Sequence, residues 1–148
     1  GNSSSNACEL SPSGAQGVIC VGASNEFDER ASFSNFGSCV SIFAPGTNIP
    51  IATTPANQIK NGFGFVSGTS IATPIVAGIV ALMLETDPEA SPQAIMAQLR
   101  NLALQDRMKS ITLKGSPNLL AQAPKMSTAS TGVQLMPAGS LPVHGAGM

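Results

Sequence analysis

Tryptophan and tyrosine are absent, histidine occurs once, and charged residues fill only 10% of 148 positions. Each scarcity excludes something. Seven Lys and Arg against eight Asp and Glu leave a net charge of −1. Such a chain offers no basic field for nucleic acid or for an anionic membrane, so neither is expected as a partner. The three cysteines, Cys8, Cys20 and Cys39, are too few and too far apart for a structural zinc site. The longest apolar run, Ile71 to Leu84, is broken by Thr73, Pro74 and Gly78. It falls short of the roughly 20 residues that span a membrane. The chain opens at Gly1 with no initiator methionine and no basic, apolar and small-residue leader. It is expected to be a processed product or part of a longer protein.

What is present suffices for a core. Hydrophobic residues make up 43% of the chain, enough for one domain. Composition shifts once. Residues 1–122 mix apolar segments with turn signals. Residues 123–148, rich in Ser, Thr, Gly, Ala and Pro, carry no period and predict a flexible tail. The run "GVICVGA", Gly17 to Ala23, predicts a buried strand of a parallel sheet. "CVSIFAPG", Cys39 to Gly46, predicts a second. "NIPIATT" predicts an irregular or edge strand because of Pro50. "IKNGFGFVSG" offers one or two more. "SFSNFGS" reads as a turn-rich connection. Ser70 to Leu84 is apolar almost all round and predicts a core helix. A second helix opens at Ser91 and Pro92, a good N-cap and a good first residue, and runs to about Leu104 with Ile95, Leu99 and Leu102 on one face. The fold class is α/β, with few helices for its strands.

Ser70 sits where a strand-like run, Gly62 to Val66, gives way to a small-residue turn and a helix. A serine there can be a plain N-cap. It can also be a nucleophile, since a helix start offers free N–H groups and positive potential. A nucleophile needs a base, and the single histidine, His144, stands four residues from the end.

The letters around Ser70 carry more than its position does. "SGTSIATPIVAG" resembles the serine signature of the subtilases, the subtilisin-like serine proteases. Ile71 stands where that pattern has Met, and Ile75 where it has a non-catalytic His. "VICVGASNEFDERASFSNFGSCVSIFAPGTNI" and "GSPNLL" resemble, in order, segments of the proteinase K and aqualysin branch. The resemblance covers residues 1 to about 120. It implies the C-terminal part of a subtilisin-like fold, with a mostly parallel sheet and a buried helix opening at the nucleophile. It implies Ser70 as nucleophile and Asn2, in the opening "GN", as side-chain donor of the oxyanion hole. Thr69 is implied to orient or assist that hole. Asn2 also begins an Asn-Ser-Ser sequon, which a substrate cleft would make a chance match. Family order is Asp, His, Ser, so base and carboxylate belong upstream of this chain. The implied partners are a peptide or protein substrate and the upstream half of the same catalytic domain.

Three further expectations follow. Cys8 and Cys39 resemble a bridged pair of the aqualysin branch, against the alternative of three free thiols; a bridge implies a secreted protein. Cys20 reads as a core cysteine. A calcium site of that branch would use carbonyls at Gly17 and Ile19 and an aspartate where this chain has Ser41, so calcium is expected to be lost or weak. An α/β-hydrolase reading would assemble Ser70, Asp87 or Asp106, and His144, but Ala72 occupies the second glycine of that elbow. A non-catalytic interaction module built on half a subtilase fold is the alternative from another class.

Overall fold

The computed structural model describes residues 1–53 and 62–125. His144, most of the expected tail and residues Ile59–Asn61 lie outside them. In chain order the elements are β1 (Val21–Ser24), β2 (Ile42–Pro45), β3 (Ile49–Ala52), β4 (Phe63–Val66), α1 (Thr69–Thr86), α2 (Pro92–Leu102), β5 (Leu104–Gln105) and β6 (Leu119–Leu120). β1 and β2 pair in parallel, as do β2 and β6; β5 closes the sheet antiparallel to β6. β3 and β4 form a separate antiparallel pair. The mostly parallel α/β architecture expected from the sequence is what folds.

Both core strands start later than their apolar runs suggest. Val21 rather than Gly17 opens β1, and Ile42 rather than Cys39 opens β2. The reason lies in how the chains first meet. Ser41 N–H donates to Cys20 O at 2.7 Å, but the return bond runs from Cys20 N–H to the Ser41 hydroxyl at 3.1 Å. A side chain thus makes the first rung. Gly17, at φ +82°, turns the chain before that point. Beyond it, all four β1 residues are buried, as two-sided coverage requires.

α1 enters the core along one face. It is apolar on every face, yet its buried residues form one stripe: Ala72, Val76, Ile79 and Met83, below Thr69. Ala77, Gly78 and Ala81 are exposed. At 18 residues and a mean hydropathy of 1.6, the helix is by length and composition apolar enough to cross a membrane, which its broken apolar run did not suggest. Its inner stripe packs on β1 and β2 in the main core, with Ile95 and Leu99 of α2. α2 starts as expected, with Ser91 Oγ accepting from Ala94 N–H at 3.2 Å, and stops at Leu102, so that Leu104 enters β5.

One junction joins these layers. Gly46 N–H donates to Ser24 O at 3.0 Å, and Gly68 N–H donates to Gly46 O at 2.8 Å. The ends of β1 and β2 and the entry to α1 therefore meet at Gly46. A Cβ there would lie 2.6 Å from the Ala23 Cβ and 2.9 Å from Gly68 O, so only glycine fits.

Cys8 and Cys39 form a disulfide, and Cys20 is a buried free thiol whose pKa burial pushes up. On the chain-entropy account a bridge over 31 residues contributes about 3–4 kcal/mol. Iodoacetamide counting checks this. Labelling of the unreduced chain is expected at no site when folded, at Cys20 alone in denaturant, and at all three cysteines after reduction. Three labels without reduction would exclude the bridge.

Candidate active site

Ser70 is the second residue of α1, and its side chain is exposed where Gly68 and Thr69 are buried. Gly68 stands at the N-cap and has no side chain to cap the helix. The cap comes from 67 residues away. Asn2 Oδ1 accepts from Thr69 N–H at 3.0 Å and from the Thr69 hydroxyl at 2.8 Å. A backbone N–H can only donate, so its partner must be the amide oxygen. Asn2 Nδ2 is thereby turned away from Thr69. A Cβ added at Gly68 would stand 3.0 Å from Ser70 Oγ and 3.5 Å from Asn2 Nδ2. Hydroxyl and amide thus border the same bare α-carbon.

The N–H groups of the first turn can be counted. Thr69 gives its N–H to Asn2; Ile71 and Ala72 give theirs to Gly68 O at 3.1 and 3.4 Å. The Ser70 N–H is left without an acceptor among the described residues. Four such donors are orphaned at any helix start, and here one of them belongs to the serine itself. Pro74 has no N–H to offer back to the Ser70 carbonyl. The site therefore combines a hydroxyl, a free backbone N–H, a free amide NH2 and the positive end of an 18-residue helix. That set can attack a carbonyl carbon and hold the oxygen that becomes negative.

Other carboxylates do not join it. Asp87 lies just past the far end of α1, about 25 Å along the axis from Ser70 at ~1.5 Å per residue. The triad of Ser70 with Asp87 is thus excluded by helix geometry. Asp106 occupies the turn between β5 and β6, its N–H on Asn118 O. Asp28 pairs with Arg107 at 2.9 Å. Ile71 and Ile75 are half-buried on α1, and Ile75 packs against the main core. This agrees with a packing role for Ile75.

At Ser41, where the calcium ligand of that branch would be an aspartate, the side chain is already engaged. Ser41 is buried, and its hydroxyl accepts from Cys20 N–H. Among the described residues no group of three or more His, Cys, Asp or Glu could hold a metal. Calcium takes six to eight hard oxygens, several of them charged. Two carbonyls and a neutral, engaged hydroxyl do not fit it, and no step below passes through one.

Reading from sequence missed the residues that hold Asn2. Asn35 Oδ1 accepts from Ser3 N–H at 3.0 Å and Ser5 N–H at 3.2 Å, and Asn35 N–H donates to Gly1 O at 2.9 Å. No local signal marks such a role in "SFSNFGS".

Known proteins resemble this chain in sequence and in fold. The sequence pattern of the subtilase family matches residues 1–132. "Subtilisin-like protease 8" of Arthroderma benhamiae is 40% identical over 129 residues, spanning 82% of this chain and 26% of that protein. The "Extracellular serine proteinase" of a Thermus species is 40% identical over 124 residues, spanning 84% and 29%. The crystal structure of a cold-adapted subtilisin-like serine proteinase superposes with a TM-score of 0.72 at 36% identity, covering 84% of this chain and 44% of that one. The chain spans little more than a quarter of these curated relatives. By family match, by identity and by fold, it belongs to the subtilases.

Proposed function

We propose that this chain carries the nucleophile and the oxyanion hole of a secreted subtilisin-like serine endopeptidase. The observation that carries this is the pair of hydrogen bonds that Thr69 donates, from its N–H and its hydroxyl, to Asn2 Oδ1, which turns Nδ2 toward the bare face of Gly68 beside Ser70 Oγ. A structural cap would need only the oxygen. Here the leftover NH2 and the leftover Ser70 N–H lie with the hydroxyl.

In this reading Ser70 Oγ attacks the carbonyl carbon of a peptide bond. Its proton passes to an imidazole supplied from outside this chain, held by an upstream carboxylate. The carbonyl oxygen becomes an oxyanion and takes hydrogen bonds from the Ser70 N–H and Asn2 Nδ2. Collapse expels the amine, which collects the proton from the imidazole. Water then opens the acyl-enzyme by the same route in reverse. Thr69 acts through Asn2. The base and carboxylate are proposed to come from the upstream half of the same catalytic domain, which would also be this chain's partner. Alone, the chain is expected to be an inefficient protease. A complete site stripped of its triad retains about 10³–10⁴-fold catalysis over water. The bridge between Cys8 and Cys39 supports secretion, since such bonds persist in oxidising surroundings.

Two measurements test the reading. A fluorophosphonate probe is expected to label Ser70 when the upstream segment is joined to the chain, and to label it far more slowly without that segment. Equal, slow labelling in both would favour a non-catalytic module. Separately, Asn2→Ala in the joined protein is expected to lower kcat about 10²–10³-fold with little change in KM, the range for losing one oxyanion donor in subtilisin, a relative. An unchanged kcat would remove Asn2 from the hole.

A further inference from the structure

We propose that Asn35 is the positioning residue of the oxyanion amide, acting through the backbone on either side of Asn2. This rests on the reading of Asn2 given above. Asn2 itself is exposed and, among the described residues, bonded only at its tip, to Thr69. A side chain held at one end swings unless its backbone is held as well. Asn35 holds that backbone at three points: the carbonyl of Gly1 and the N–H groups of Ser3 and Ser5. The first two flank Asn2 directly. Further along, Ser4 N–H donates to Phe33 O at 2.8 Å and Ala7 N–H to Phe36 O at 2.7 Å. Residues 1–7 thus lie along the 33–36 segment, and Asn35 is its one side chain reaching across to Ser3 and Ser5.

Asn35 can do this because it is itself fixed. It is 2% exposed. Its carbonyl accepts from Ser34 Oγ at 3.0 Å, and the same Oγ accepts from Ala23 N–H of β1 at 3.0 Å. Ala31 N–H bonds Ala23 O at 2.8 Å, so the loop is pinned on both polar groups of one β1 residue. The buried Arg30 guanidinium donates to the carbonyls of Ala31, Ser34 and Thr112 and stacks on Phe36. A path of short bonds therefore runs from β1 through Ser34 and Asn35 to the residues on both sides of Asn2.

The Asn35 amide also has an idle half. Nδ2 is the one buried side-chain nitrogen or oxygen among the described residues without a hydrogen-bond partner. Leaving a buried donor unmade costs free energy. Its oxygen is what the chain uses; Asn35→Asp keeps an acceptor facing the Ser3 and Ser5 N–H groups, replaces the idle NH2 with a second oxygen, and adds a buried carboxyl whose charge those two donors would offset.

The test uses the protein joined to its upstream segment, with active sites counted by fluorophosphonate titration. In titrated wild type, Asn35→Leu is expected to lower kcat about 10–100-fold with KM within about twofold, part of what losing the donor outright removes. Asn35→Asp is expected to recover kcat to within about threefold of wild type. If Asn35→Leu does not fold, Asn35→Ser replaces it, since its shorter hydroxyl cannot span both N–H groups. The deciding comparison is made in an Asn2→Ala background. If Asn35 acts through Asn2, its substitution there costs less than about twofold more in kcat. A full, multiplicative loss in that background overturns the proposal, as does an Asn35→Asp loss equal to that of Asn35→Leu. An untitratable wild type would instead overturn the protease reading and is told apart at the first step.

Discussion

The site depends on the junction at Gly46. The ends of the two core strands and the entry to the long helix share one glycine, with Ser24 O on one side of it and Gly68 N–H on the other. There is no room for a methyl group between Ala23 and Gly68. The helix start is thus fixed to the sheet by two backbone bonds and a steric limit, not by packing alone. Everything that gives Ser70 its surroundings follows. Gly68 is bare, so a remote asparagine caps the helix. The remote cap leaves an NH2 beside the hydroxyl. The first turn closes on Gly68 O and leaves the Ser70 N–H over. A small error at Gly46 would move the hydroxyl relative to both donors.

How much of this was legible in the sequence depends on the range of the interaction. Ser91 and Pro92 cap α2 as they read, because capping is decided within three residues. The order of β1 to β4, α1 and α2 was legible from apolar runs and breakers, whereas β5 and β6, two residues each, gave no such signal. Strand starts were not, because the first rung between Cys20 and Ser41 is made by a hydroxyl that no periodicity reveals. Which face of α1 is buried was not legible for a related reason. An all-apolar helix gives no sign of which stripe faces the sheet. Ser70 could be read as cap or nucleophile from position, and the likeness of "SGTSIATPIVAG" to a family favoured the second. Asn2 was legible only through that likeness. Asn35 was not legible at all, since its partners lie 30 and 32 residues away in a segment with no regular structure.

The loop between β1 and β2 joins two kinds of work. Toward the sheet, Ala31 and Ser34 cover the polar groups of Ala23, closing part of an edge that a parallel strand leaves open. Toward the helix start, Asn35 holds the segment that bears Asn2. Buried Arg30 ties the two halves with donors to three carbonyls and no carboxylate partner. A guanidinium suits this, because its fork reaches several acceptors from a fixed plane. Burial lowers its pKa, yet it begins from so high a value that it stays charged.

The bridge from Cys8 to Cys39 also bears on backbone nicking, since exposed loops are where chains are cut. Residues 9–12 and 14–18 are exposed, on the stretch that leads from the Asn2 segment to β1. A cut there would ordinarily free residues 1–8, Asn2 among them. The bridge spans that stretch, so a nicked chain keeps both pieces covalently joined. Asn2 would then remain tethered beside Ser70 in a molecule already damaged.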